Sequence, residues 1–192
     1  KKLKKNRNKV FEIEKEILEN NKYLKDKENY NWEKFTNLIK ILNHFGCLNE
    51  LELTDIGKSV SALRTENELW VGLNLLSGYL DDLEPPDLAA VIQSISVEVR
   101  RSDSWSNYKS SSKVQEVLNE LEGIRKLISE KQNQFAIDLP MYLERDLSGI
   151  ISAWAKGKKW KEIILNTSLD EGDVVRMIRR TIDVLNQIKY CV

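Results

Sequence analysis

The chain has 192 residues, with 30 Lys and Arg against 30 Asp and Glu, so its formal charge is zero; hydrophobic residues make up 41% and charged residues 31%. That composition describes a soluble, strongly charged globular chain, long enough for one domain or two small ones without disulfide or metal staples. Two cysteines (Cys47, Cys191) and one histidine (His44) exclude a disulfide framework and a four-ligand zinc site, and no apolar run approaches the roughly 18–20 residues of a membrane span.

Residues 2–26 read as a long helix. Leu3, Val10, Ile17 and Leu24 recur at seven-residue steps, joined by Ile13, which is the seam of a coiled coil. Asn6 and Asn20 occupy its other apolar positions, so the helix needs a partner. The polar stretch from Asp26 to Asn31 is expected to be a linker, separating a unit at 1–28 from one at 29–65. Trp32, Phe35, Leu38, Ile39, Leu42 and Phe45 then follow helical spacing up to Gly46, placed as a C-terminal cap. Cys47 to Leu53 alternates apolar and polar residues, and Thr54 sits where it can cap a short helix through Ala62. Helix, extended piece, helix outlines a partial winged helix.

A helical bundle is expected over 66–192. Leu69, Trp70, Leu73, Leu76 and Leu80 form one apolar face. Pro85, Pro86 and Asp87 suit a first helical turn, because proline lacks the amide hydrogen that turn leaves unused and an acid favours the positive end. Ala89, Ala90, Ile92, Ile95 and Val99 run along that helix. The Ser-rich stretch from Ser102 to Ser112 reads as a loop docked by Trp105 and Tyr108. Residues 113–135 place Val114, Val117, Leu118, Leu121, Ile124 and Leu127 inward. Pro140 is expected to open a helix carrying Leu143, Leu147, Ile150, Ile151 and Trp154 to Gly157. A short helix around Trp160 to Leu165 follows, then a last one from about Asp170 through Val175, Ile178, Ile182, Leu185 and Ile188. The end at Tyr190-Cys191-Val192 carries no cap or breaker, which suggests truncation. The fold class is therefore all-α.

Charge is uneven along this chain. Residues 66–99 carry seven acids and no Lys or Arg, whereas 153–192 carry eight Lys and Arg against five acids and 1–26 carry nine against five. A polyanion is drawn to the two ends. No glycine-rich phosphate loop, Gly-Lys-Ser/Thr or dinucleotide fingerprint is present, and no nucleophile stands beside His44. Asp81, Asp82, Glu84 and Asp87 suit a loop and a helix start better than a metal. The sequence offers no catalytic centre.

The informative segment is 150–190. A short polar turn joins two helices, as in a helix-turn-helix. On the second, Arg176, Arg180 and Asp183 fall at i, i+4 and i+7, with Arg179 adjacent, while Val175, Ile178, Ile182 and Leu185 are expected on the opposing stripe. Guanidinium groups suit phosphates and base faces because they are planar, multidentate and permanently charged. On spacing alone, surface salt bridges fit the same residues equally well.

Trp154-x-x-Gly157-x-x-Trp160-x-Glu162-Ile163, Thr167, Glu171-Gly172-Asp173-Val174-Val175-Arg176 and Arg179-Arg180 resemble the signature of the DSHCT domain. This is the C-terminal helical domain of superkiller-type DExH-box RNA helicases and their bacterial HelY-like relatives. Asn67-Glu68-Leu69-Trp70, the run from Asp81 to Ala90 and Asp103-Ser104-Trp105 are most similar to its cyanobacterial and plastid-type branch. The resemblance covers about residues 32–192.

The resemblance implies two RecA-like ATPase domains, using ATP and Mg, that lie outside these 192 residues, so this stretch neither hydrolyses ATP nor unwinds RNA by itself. It implies a ratchet helix over 171–190 that touches single-stranded RNA moving 3′-to-5′, with Arg176, Arg179, Arg180 and Asp183 as RNA-binding residues. Asp183 stands where many relatives carry Glu, and Thr181-Ile182 where Leu-Glu is usual. Residues 29–65 become the tail of a winged helix and 1–28 the returning arm of a stalk. Implied partners are RNA, the ATPase core of the same polypeptide and RNA-degradation machinery, with no membrane, in a bacterial cytoplasm or a plastid interior. Two other readings compete: a helix-turn-helix DNA-binding protein using 158–180, and a protein-interaction scaffold using the acidic 66–99 region.

Overall fold

The computed structural model describes residues 2–98 and 103–191; Val99, Ser102 and Val192, and the side chains of Leu3 and Asn6, lie outside the described residues. Among the described residues there are eight α-helices and one two-stranded hairpin, an all-α bundle. None of these helices is long and apolar enough to cross a membrane.

α1 runs unbroken over Lys2–His44, 43 residues and about 65 Å at 1.5 Å per residue. The expected linker at 26–31 is therefore helix. Its residues are polar, but none is glycine or proline, and polarity without a breaker does not end a helix that is solvated all round. Gly46, at φ +70°, does end it: the Cys47 amide reaches back to the Leu42 carbonyl at 2.8 Å, in the left-handed C-terminal cap the sequence indicated.

β1 (Leu48–Asn49) and β2 (Glu52–Leu53) then pair antiparallel, with Leu48 opposite Leu53. Thr54 caps α2 (Asp55–Ser61): its hydroxyl oxygen accepts the Gly57 amide at 3.0 Å and donates to the Gly46 carbonyl at 2.6 Å. One side chain thus fixes the short helix to the end of α1. Ile41, Cys47, Val60, Leu69 and Ile137 bury this junction. Cys47 and Cys191 are both buried free thiols, and burial raises both above the ordinary thiol range.

α3 (Glu68–Leu75), α4 (Pro85–Ser96), α5 (Ser112–Gln134), α6 (Ser148–Ala155), α7 (Trp160–Leu165) and α8 (Glu171–Ile188) complete the bundle. α4 is its axle. Every residue from Ala89 to Ser96 is buried, not just one stripe, because α3, α5, α6 and α8 all pack on it. Ser94 and Ser96 are tolerated there because their hydroxyls donate to the Ala90 and Ile92 carbonyls one turn earlier.

Two expected faces are displaced here. On α5 Ile128 is buried and Leu127 is exposed, and on α3 Leu76 is exposed. Pro140 does not open a helix, and α6 starts only at Ser148. Residues 139–145 are held as an irregular strap by the bundle: the Tyr142 carbonyl accepts the Trp70 indole at 3.1 Å, the Glu144 amide donates to the Ser94 carbonyl at 2.9 Å, and Arg145 donates to Asn119 and to the Leu118 carbonyl. Tyr108 packs against the bundle, but Trp105 is 51% exposed. Backbone bonds dock that loop instead, with the Asn107 amide on the Asn166 carbonyl and the Ser168 amide on the Trp105 carbonyl.

Candidate nucleic-acid interface

α8 is positioned by its first turn and its inner face. The Asp170 carboxylate accepts the Asp173 amide at 2.9 Å, and acids at 170, 171 and 173 complement the positive helix start. Val174, Met177, Ile178, Thr181 and Val184 are buried. The first three residues join Ile150, Ile151 and Ile163 in one cluster, and Val184 joins Trp70, Ile92 and Leu118 in another. Thr181 is fully enclosed because its hydroxyl donates to the Met177 carbonyl at 2.8 Å.

The inner stripe is rotated from its expected phase. Ile178 and Leu185 do pack inward, but Val175 and Ile182 are 40% and 36% exposed. Apolar side chains at 174, 175, 177, 178, 182, 184 and 185 span about half the helix circumference, so the core had a choice of arc. It closed on the side facing α4 and α6, leaving Val175 and Ile182 beside the arginines.

All four residues singled out from the sequence lie on the outward side of α8. Arg176, Arg179 and Asp183 are exposed and Arg180 is half-buried. With Gly172 and Val175 they line one surface depression of about 330 Å³. Two of the arginines carry carboxylate partners. Arg176 Nη2 lies 2.8 Å from Asp173 Oδ1 within the helix, and Arg180 Nη2 lies 3.8 Å from Glu66 Oε1 in the loop before α3. The first pair is half exposed on the arginine side and the second is about half exposed on both sides, so both contribute little to stability. Neither closes the depression.

Glu66 and Tyr142 belong to this site and went unread in the sequence. The Tyr142 hydroxyl donates to Glu66 Oε2. Its phenol is pushed up to about 12, first by desolvation and then by the Glu66 carboxylate, with Arg180 opposing. The loop is also tied directly to α8, since Gln187 Oε1 accepts the Arg64 amide at 2.6 Å. The Asp173–Arg176 spacing of three was a readable signal. Nothing in the sequence linked Glu66 or Tyr142 to α8, because only the packing of three distant segments brings them together.

Comparison with known proteins follows the same segment. Residues 50–192 match the DSHCT (NUC185) domain. The chain is 34% identical over 163 residues to the DExH-box ATP-dependent RNA helicase DExH15, chloroplastic, of Arabidopsis thaliana, covering 82% of this chain and 14% of that protein. It is 26% identical over 164 residues to DExH10 of the same plant, with 82% and 16% covered. Against the probable helicase HelY of Mycobacterium leprae it is 22% identical over 155 residues, with 75% and 17% covered. The chain thus spans only 14% to 17% of the length of these relatives. With most of its length matched, including all of α8, the chain belongs to the DSHCT (NUC185) domain family.

Proposed function

We propose that this chain is the C-terminal RNA-binding module of an ATP-dependent DExH-box RNA helicase, and that the outer face of α8 grips single-stranded RNA as the strand moves 3′-to-5′. The observation that carries the reading is the row Arg176, Arg179, Arg180 and Asp183 along one open depression, on a helix pinned by its opposite side. An arginine in such a row offers two functions at once. Its charge attracts the phosphate backbone, and its flat guanidinium stacks on or hydrogen-bonds a base without demanding one sequence. Val175 and Ile182, left exposed at the border of the row, supply apolar contact for a base. ATP and Mg²⁺ act in the RecA-like core of the same polypeptide, outside this chain; the chloroplastic relative supports a plastid interior as the setting, and the mycobacterial one a bacterial cytoplasm.

The acidic first turn of α8 weighs against duplex DNA recognition. A recognition helix brings its N-terminal residues to base edges and phosphates, where Asp170, Glu171 and Asp173 would repel the strand.

The test is Arg180→Ala in the full-length helicase. RNA affinity is expected to fall by about 1–3 kcal/mol, with a shallower dependence on salt because one phosphate-neutralising charge is gone. RNA-stimulated ATPase and unwinding equal to the unsubstituted enzyme would reject the reading.

A further inference from the structure

We infer that Glu66 is the internal counter-ion of Arg180: held by Tyr142, its carboxylate competes with RNA phosphate for that guanidinium and limits how tightly the arginine face holds a strand. The inference rests on the reading of α8 as the RNA-gripping element.

Glu66 and Tyr142 are both anchored through Trp70, one by way of its backbone amide and the other by way of its indole. Glu66 precedes Asn67, which caps α3 by accepting the Trp70 amide on Oδ1 at 3.0 Å. Trp70 is 1% exposed, and its Nε1 donates to the Ile95 carbonyl at 3.0 Å and to the Tyr142 carbonyl at 3.1 Å. The loop holding Glu66 and the strap holding Tyr142 are therefore fixed to the core within a few residues of the site. From there the Tyr142 hydroxyl takes Glu66 Oε2 and leaves Oε1 to Arg180. The phenol keeps its proton across neutral pH, so it stays a donor to the carboxylate.

The distance decides what this contact does. At 3.8 Å, Arg180 Nη2 and Glu66 Oε1 attract but do not share a hydrogen bond, and both side chains remain wet at 40% and 49% exposure. A phosphate approaching from solvent offers shorter, charge-assisted bonds and displaces the carboxylate. The cost of that displacement is charged to RNA binding. Arg179 has no such competitor among the described residues, and Arg176 finds its own inside α8. Glu66 therefore acts on one arginine of the row.

The experiment measures the affinity of the full-length helicase for a labelled single-stranded oligouridine RNA over a range of salt, for Glu66→Gln, Tyr142→Phe, Arg180→Ala and the Glu66→Gln/Arg180→Ala double variant. Glu66→Gln is expected to bind about two- to fivefold more tightly at low salt, with the gain shrinking as salt screens the pair. Tyr142→Phe should give a smaller gain in the same direction, because the carboxylate loses the donor that aims it. In the Arg180→Ala background, Glu66→Gln should change nothing. If Arg180→Ala weakens binding but Glu66→Gln brings no gain, or brings the same gain without Arg180, the counter-ion role is overturned and the RNA reading stands. Weaker RNA binding by Glu66→Gln with a lowered melting temperature would make Glu66 a purely structural residue and also overturn it. Arg180→Ala without effect overturns both.

Discussion

At the scale of single residues, the positions that matter most are those where a side chain, or its absence, answers to a distant part of the chain. Gly149 opens the first turn of α6 against the backbone of the loop that carries Tyr108 and Lys109, and a Cβ built there would overlap the Tyr108 carbonyl. That carbonyl belongs to a loop already fixed by its bonds to Asn166 and Ser168, so it cannot retreat. Gly149→Ala is expected to cost at least about 1–3 kcal/mol through overpacking, read as a lower melting temperature. An unchanged melt would show that the loop yields. A sequence shows that a glycine is present but not what approaches it. The same limit hid Glu66 and Tyr142. Arg176, Arg179, Arg180 and Asp183 were legible because their relation is internal to one helix, where a spacing of three or four residues is a direction in space.

At the scale of elements, ends were easier to read than faces. Gly46, Thr54, Pro85 and Asp170 mark boundaries through local chemistry, and each stands at a boundary in the structure. Pro140 failed as a boundary because proline permits a first helical turn without requiring one, and the strap found hydrogen bonds on Trp70 and Ser94 instead. The inner stripe of α8 was misplaced because an apolar arc wider than the contact leaves its phase to the neighbours. The Asp170 cap offers a test at this scale. Asp170→Ala is expected to destabilise the chain by about 1 kcal/mol and to speed amide exchange over the first turn of α8. It should also loosen Asp173 and its pair with Arg176, since the two carboxylates share that turn. Exchange at 171–175 matching that of the unsubstituted chain would show that packing alone holds the helix start.

At the scale of the whole molecule, the bundle and α1 are held by different means. α4 is buried on every side, whereas the side chains of Lys9–Lys25 and Lys27–Phe35 are exposed, among them Phe11, Leu18, Leu24 and Trp32. That stretch of α1, unlike its last turns around Ile41, has no packed face and rests on propensity and a few exposed pairs such as Lys15–Glu19. In this chain alone, amides of residues 9–30 are expected to exchange orders of magnitude faster than those of 89–96. Comparable protection in both would mean that the seam of Val10, Ile13, Ile17 and Leu24 had found a partner. The sequence by itself determined the helical class, most helix boundaries, the family signature and the arginine row, because each is a matter of local geometry or of residues in fixed order. Tertiary structure alone decided which arc of α8 went inside, that α4 became the axle, that residues 139–145 became a strap, and that a carboxylate from the loop before α3 faces Arg180. Burial is a property of neighbours, and which neighbours a segment meets is settled only when the whole apolar surface closes at once.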